Sequence, residues 1–509
     1  MMKKILTAIF LPFLCLPLLA QELYIATDKA CYVAGESIGC SAFCAPGHSV
    51  AMVELAGPGG AAALSKIAMK DGRGAGELRI PFGTPTGNYR LMAYLPGGTP
   101  VAGPVISVFN TLSTDRVKDG VEVVSKAPDG PRSMETGYGL AVDVKGDSIV
   151  VHNISGDVAS VCVSLYREDS LQPASRSSIA GFRRPDAVDP SDGEFIRGRV
   201  TGADAAWVTG VILAVPGSKT DCYHAEVQED GTFCAKTENI FGDVDIVCIP
   251  VGVEMDQDAH VELAQSFVGT SAAGLPKLQI ARSMEADLLR RTAAMLNGVH
   301  ADTLAVSLPV RAEHFFLERE CISYVLDDYT RFPTMEEVFV EIIPQVKLRH
   351  KGGKPFIYTL IPSSVLDGAP RWGDAVVMVD GVPAPDHSLI ESYDPAIVKT
   401  IEVYPYKYRL GAVDFDGVVN LVTFDGRMPG LLLPDNVRIY GFHGCSLPRI
   451  LTGSETLFWH PLMDIPAGGS ITVPCSGAIP EAFYTISIEG LSPSGLPLYF
   501  RKTFRNGEK

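Results

Sequence analysis

A chain of 509 residues exceeds what one hydrophobic core organises, and the usual domain size divides it into about three to five units. Its formal net charge of −16 argues against nucleic acid and anionic lipid as partners, because both are held mainly through cationic patches. The 50 glycines and 36 prolines are spread along the chain as turn punctuation and strongly helical patterns are scarce, so a mostly β, multidomain fold is expected.

Residues 1–20 read as a cleaved secretory signal. Lys3 and Lys4 form a basic start, Ile5 to Leu19 is an apolar stretch short for a membrane span, and Ala20 places a small side chain before a cut ahead of Gln21. Cys15 raises the alternative of a lipid-modified cysteine, but Pro12-Phe13-Leu14 lacks the small residues such processing needs. No later run approaches the roughly 18 apolar residues of a transmembrane helix. The mature chain is therefore expected to be exported and soluble.

Residues 21–110 alternate apolar positions between Gly and Pro turns, the pattern of a β-sandwich, with a strand expected at Tyr89 to Tyr94. The order Thr27-Asp28-Lys29, Tyr32, Gly35-Glu36, followed by Gly87-Asn88-Tyr89-Arg90-Leu91, resembles the macroglobulin-type, immunoglobulin-like sandwich of α2-macroglobulin relatives and many secreted proteins of diderm bacteria. Protease-trapping members of that family carry a Cys-x-Glu-Gln thioester, and no cysteine here has that neighbourhood.

Residues 111–193 are expected to form a second β-rich domain with strands at Gly139 to Val144, Ser148 to His152 and Ser160 to Tyr166, then a polar linker from Ser170 to Gly193. Residues 194–270 alternate short strands around an Asp230-Gly231 turn and resemble the non-catalytic carboxypeptidase-regulatory-like sandwich. Residues 271–345 are assigned to a helical connector. One helix is expected at Ser283 to Leu296, and a second after Thr334, which can cap it with Glu337 three residues on while Val338, Phe339, Ile342 and Ile343 face a core.

Residues 346–430 give an apolar run at Ala375 to Val379, a turn at Asp380-Gly381, strands at Thr400 to Tyr404 and Val418 to Phe424, and short linkers at Val346 to Lys354 and Arg427 to Leu433. The order Asp380-Gly381-Val382-Pro383, Asp394-Pro395, Ile401-Glu402-Val403, Gly417, Asn420, Thr423 resembles the plug domain of TonB-dependent outer-membrane receptors. A full receptor needs about twenty-two strands of roughly 10 residues each, which the stretch after Gly426 is not expected to supply. With a strand already starting at Tyr24, little room is expected for a TonB-contacting segment either. Residues 431–509 are expected to close the chain as a C-terminal β-sandwich, with turns at Gly468-Gly469 and Ser494-Gly495.

No catalytic, cofactor or metal site is assigned. His350, His387, His443 and His460 lie far apart without ligand spacing, Glu336, Glu337 and Glu341 fit the face of a capped helix, and Asp327-Asp328 with Asp367 match no calcium loop. The cysteines permit disulfides without revealing a pairing, and suit buried positions equally. Tyr404, Tyr406 and Tyr408 alternate and are expected to present three phenols on one strand face, a candidate interface for a sugar, a peptide or a neighbouring domain. Together the resemblances imply a secreted, non-enzymatic binding or assembly protein with a protein partner at the outer membrane. The alternatives are an accessory of TonB-dependent uptake contacting a separate barrel, and a secreted hydrolase, for which no nucleophile or acid pair assembles. Sequencing the N-terminus of protein recovered from cells is expected to start at Gln21 or within a residue or two, whereas palmitate label on a chain starting at Cys15 would assign a lipoprotein.

Overall fold

The computed structural model describes residues 22–506 except 128–134, 146–147, 177, 188–193, 218–220, 239, 299, 304–319, 366–367, 411–412, 453–454, 476 and 481. The expected leader and cleavage site lie outside the described residues. The fold is mostly β and multidomain, with sandwiches and one small α+β unit.

The first sandwich is a single eight-stranded sheet folded on itself, from Leu23–Thr27 at one edge through Ser37–Cys44, Arg73–Arg79, Gly60–Lys70, Val50–Gly57, Gly87–Tyr94 and Val101–Phe109 to Cys31–Val33. Its core is aliphatic, with Ile25, Ile38, Val53, Leu55, Leu91 and Ile106 closed around the buried ring of Tyr32.

The segments 111–193 and 431–509, expected as separate domains, build one second sandwich. Ala159–Arg167 is flanked by Thr456–Ile465 and Phe483–Leu491 in a seven-stranded sheet, and Ser470–Pro474 joins Ser148–Asn153 and Leu140–Lys145 in a three-stranded one. The reason is burial: Val161, Val163 and Leu165 are fully buried, and their strand needs a partner on both edges, which nearby sequence does not provide. The stretch after Ser170 is not a free linker either, since Leu171, Ile179 and Phe182 are buried, the last two against Tyr24 and Phe43 of the first sandwich.

The third sandwich pairs Thr232–Thr237, Glu194–Thr201 and His260–Leu263 in one sheet, and Cys222–Glu226, Gly210–Ala214, Asp243–Val251 and Arg438–His443 in the other. Its last strand comes from the segment assigned to the C-terminal sandwich. Nor is 271–345 a connector unit. Leu278–Ala281 pairs in parallel with Val121–Val124, helix α1 (Glu285–Asn297) follows, and His300–Thr303 then pairs with Arg449–Thr452 of the second sandwich. Ile322–Val325 and helix α2 (Met335–Glu341) already belong to the α+β unit. Thr334 caps α2 as its sequence implies, with Oγ1 accepting from the Glu337 N–H at 3.3 Å.

The α+β unit holds a five-stranded sheet in the order Ile322–Val325, Val398–Tyr404, Val418–Thr423, Val376–Val379, Val382–Pro383. A second sheet consists of Val346–Lys351, Lys354–Ile361 and Arg371–Asp374, so Val346 to Lys354 is a hairpin rather than a linker. Helix α3 (Ser388–Glu391) packs beside it.

Charges are buried where the first sandwich, the second and α1 meet. Asp28 Oδ1 accepts from the Tyr32 hydroxyl at 2.6 Å and the Gly39 N–H at 2.9 Å, and Oδ2 accepts from Thr456 Oγ1 of the second sandwich at 3.2 Å. Lys29 Nζ donates to Glu36 Oε1 at 2.9 Å, and Glu36 Oε2 accepts from the Val33 N–H at 2.7 Å. Arg291 of α1 donates to Asp169 at 2.7 and 3.0 Å and to the Cys31 carbonyl at 2.9 Å, while Arg290 reaches Asp169 at 2.8 Å and also pairs with Glu455. The Thr-Asp-Lys, Tyr and Gly-Glu residues of the sequence pattern are thus a turn lock whose far side grips the second sandwich. Cys31, Cys40 and Cys44 are separate buried thiols in the same sandwich, and burial pushes Cys31 and Cys44 up to about 12.

A second junction joins the first and third sandwiches. Lys66 is fully buried, pairs with Glu194 and lies 3.9 Å from the centroid of the Phe442 ring. Burial lifts the Glu194 carboxyl above its usual range, and Lys66 only partly offsets it. Because Glu194 then loses its counter-charge in a dry site, Lys66→Met is expected to cost about 3 to 5 kcal/mol, and adding Glu194→Leu should recover most of it. Chemical unfolding of both variants checks this; an equal loss in the two would contradict a buried ion pair.

Candidate binding surfaces

The three tyrosines do not share a strand face. The strand ends at Tyr404, the Tyr406 N–H turns back onto the Tyr404 carbonyl at 2.9 Å, and Tyr408 opens a separate hairpin with Val413–Phe415. A strand alternates only while its ladder continues, and this ladder stops because Pro405 offers no N–H. Tyr404 and Tyr408 are buried in the α+β core and Tyr406 is half-buried against it, its ring centroid 6.4 Å from that of Tyr408 at 81°.

The other positions of the plug-like order converge on one buried node. Asp380 is buried in the left-handed region, with φ 49°, at the turn after Val376–Val379. Its carboxylate accepts from the Thr423 N–H at 2.7 Å, the Thr423 hydroxyl at 2.6 Å and the Met428 N–H at 2.9 Å. Asn420 Oδ1 accepts from the Gly381 N–H at 3.1 Å, and its amide donates to Glu402 at 3.2 Å. The Asp380 carbonyl accepts from Gly217 N–H of the third sandwich at 2.8 Å. Asp, Gly, Glu, Asn and Thr in that order therefore fasten two parallel neighbouring strands, the loop after them and the adjoining domain. Behind the node, Ala214, Cys222, Val247 and Ile249 of the third sandwich share a core with Val377, Val379, Ile401 and Leu421.

A recess of about 990 Å³ opens on the third sandwich. Alternation along Glu194–Thr201 turns Ile196 and Val200 inward and Arg197 and Arg199 outward. Arg197 stands opposite Cys234, and Arg199 lies between Thr232 and Glu262. Lys236, His224, Glu226 and Gln228 complete the polar lining. Burial lowers the pKa of His224, Glu226 opposing it, so the imidazole is neutral at pH 7 and can accept or donate a hydrogen bond. Gly210 makes room for it, since a Cβ there would lie 2.3 Å from Nε2. Three cations, two carboxylates, a neutral imidazole and an exposed thiol suit a polar, partly anionic ligand. The sequence reading missed this recess, although Ile-Arg-Gly-Arg-Val alternates visibly.

The four histidines and Asp327 have separate structural partners. His350 meets Glu391 at 2.7 Å, His387 Nδ1 accepts from the Ile357 N–H at 2.9 Å, His443 meets Asp243 at 2.9 Å and His460 stacks on Phe458. Asp327 pairs with Arg331, and Asp367 lies outside the described residues. Among the described residues no group of three or more His, Cys, Asp or Glu is arranged to hold a metal ion, and no helix is long and apolar enough to cross a membrane.

No family model matches the chain, and no curated protein does. Among solved structures the chain is similar to SGBP-B of the Bacteroides ovatus mixed-linkage glucan utilization locus in complex with mixed-linkage heptasaccharide, at 12% identity, over 47% of this chain and 73% of that one, with a TM-score of 0.12. It is also similar to a Salmonella alpha-2-macroglobulin mutant at 7% identity, over 95% of this chain and 39% of that one, with a TM-score of 0.22. For the same macroglobulin reacted with methylamine the values are 7%, 96%, 23% and 0.16. Overlaps this loose carry no functional inference.

Replacing Asp380 by Ala strands three buried donors and is expected to cost about 3 to 4 kcal/mol; Asp380→Asn, which keeps one acceptor and tolerates the left-handed backbone, should cost about half as much. Thermal unfolding of the two variants ranks them, and equal stability of all three proteins would remove the node as a structural tie.

Proposed function

We propose that the chain is an exported, non-enzymatic binding and assembly protein of the periplasm or outer-membrane surface. In this reading a macroglobulin-type sandwich, a carboxypeptidase-regulatory-like sandwich and a plug-like unit form a rigid scaffold, and the recess around Arg197, Arg199 and Lys236 meets the partner. The observation that carries it is the buried Asp380 node with the shared core behind it. Side chains that define the plug-like order are spent on bonds inside the unit, while the Asp380 carbonyl and the shared core hold the unit against the third sandwich, which favours a fixed spacer or docking body. An accessory of TonB-dependent uptake, the second reading, needs a plug that rearranges when pulled, and fully hydrogen-bonded buried carboxylates resist that.

The experiment compares capture of outer-membrane proteins from detergent-solubilised envelopes by the purified chain and by an Arg197→Glu, Arg199→Glu variant. One specific partner captured by the first and lost with the second is the expected result, together with no stepwise conductance in planar bilayers and no turnover of peptide, ester or glycoside substrates. Conductance, or turnover abolished by a single side-chain change, would overturn the reading.

A further inference from the structure

One sheet face carries side chains that no core uses. In the small sheet of the α+β unit, Val346, Leu348, Ile357 and Ile361 turn inward, the first three against the core. The opposite parity points away from it: Lys347, Arg349 and Lys351 on the edge strand, Phe356, Tyr358 and Leu360 on the middle one, and Trp372 on the third. Register places Lys347 opposite Tyr358, Arg349 opposite Phe356 and Leu360 opposite Trp372. The three rings are all part-exposed, and Lys347 Nζ lies 3.9 Å from the Trp372 centroid.

The hairpin tip concentrates charge at a cost. Gly352 and Gly353, with φ 61° and 80°, turn the chain within two residues and set Lys351 directly opposite Lys354. Like charges so placed weaken a sheet. Lys354 reaches Glu254 at 3.3 Å, but among the described residues Arg349 and Lys351 form no ion pair. Lysines on an edge strand guard against edge pairing, yet that purpose requires no row of rings on the neighbouring strand.

We propose that this face binds an acidic polysaccharide, with sugar rings lying on Phe356, Tyr358 and Trp372 and carboxylates meeting Arg349, Lys351 and Lys354. Outward residues two apart on a strand are spaced by about 6.7 Å, so the edge and middle strands each offer a short ladder of like sites. Flat rings take the apolar faces of sugars, and the cations beside them take the charge. Rings and cations also suit single-stranded nucleic acid. Nucleic acid, however, is held mainly through many phosphate contacts, and a protein of net charge −16 with only a small cationic patch on this face offers few of them.

Affinity electrophoresis of the full mature chain tests this, with polygalacturonate, neutral hydroxyethylcellulose, poly-dT and phosphatidylglycerol vesicles as probes. Polygalacturonate is expected to retard the protein and hydroxyethylcellulose is not. Arg349→Ala with Lys351→Ala should weaken binding about tenfold and flatten its salt dependence, while Arg349→Lys with Lys351→Arg should keep it. Tyr358→Ala should weaken binding at high salt as well. Both alanine variants should keep the circular dichroism of the parent. Absence of retardation, equal binding by all variants, or tighter binding of poly-dT or the vesicles would each overturn the proposal.

Discussion

Buried charge dictates how the sandwiches sit on one another. Asp28, Lys29, Glu36, Asp169, Arg291 and Glu455 come from the first sandwich, the second and α1, and taking such groups out of water costs more than their attraction returns unless nearly every lone pair and proton is matched. Apolar faces tolerate sliding, whereas a guanidinium that must reach two carboxylates and a carbonyl does not. Asp28 works on both sides at once, closing the Tyr32 turn inside its own sandwich and accepting Thr456 from the other. A single relative position of the three bodies satisfies these contacts together, and the apolar clusters around Tyr24 and Phe182 fill the space that position leaves.

The third sandwich and the α+β unit are joined by other means. Their cores merge, and after the α+β unit the chain returns as Arg438–His443 to complete a sheet of the third sandwich. The unit is inserted into that sandwich rather than strung after it. An insertion held at both ends loses less entropy when it docks than a tethered domain would, which leaves its outer sheet free of packing duty.

Local features of this fold were legible in the sequence. Turns at Asp230-Gly231, Asp380-Gly381 and Gly468-Gly469, the Thr334 cap, and strands such as Ser148–Asn153 depend on a few adjacent residues whose chemistry is plain. Pairing at long range was not. A period of two tells which face of Ala159–Arg167 is buried but not which strands lie beside it, so two halves of one sandwich read as two domains. At the sites, the order Asp380, Asn420, Thr423 was visible while its convergence was not, because the Met428 and Gly217 amides that complete the node carry no side-chain signature. Net charge is silent on distribution: a total of −16 conceals a hairpin where Lys347, Arg349, Lys351 and Lys354 cluster.

The second sandwich also sets a clock on the chain's own birth. Ser160 bonds to Asp464, 304 positions later, and Ala159–Arg167 has no strand partners among the described residues until that region exists. At about 5 to 20 residues per second, synthesis leaves this strand waiting for roughly 15 to 60 seconds with both edges and its valines uncovered. The first sandwich, whose strands all lie within about 90 residues, can close meanwhile. The same interval suits a nascent strand to a holding chaperone, and it makes late truncation of the chain more damaging to residues near 160 than to those near 60.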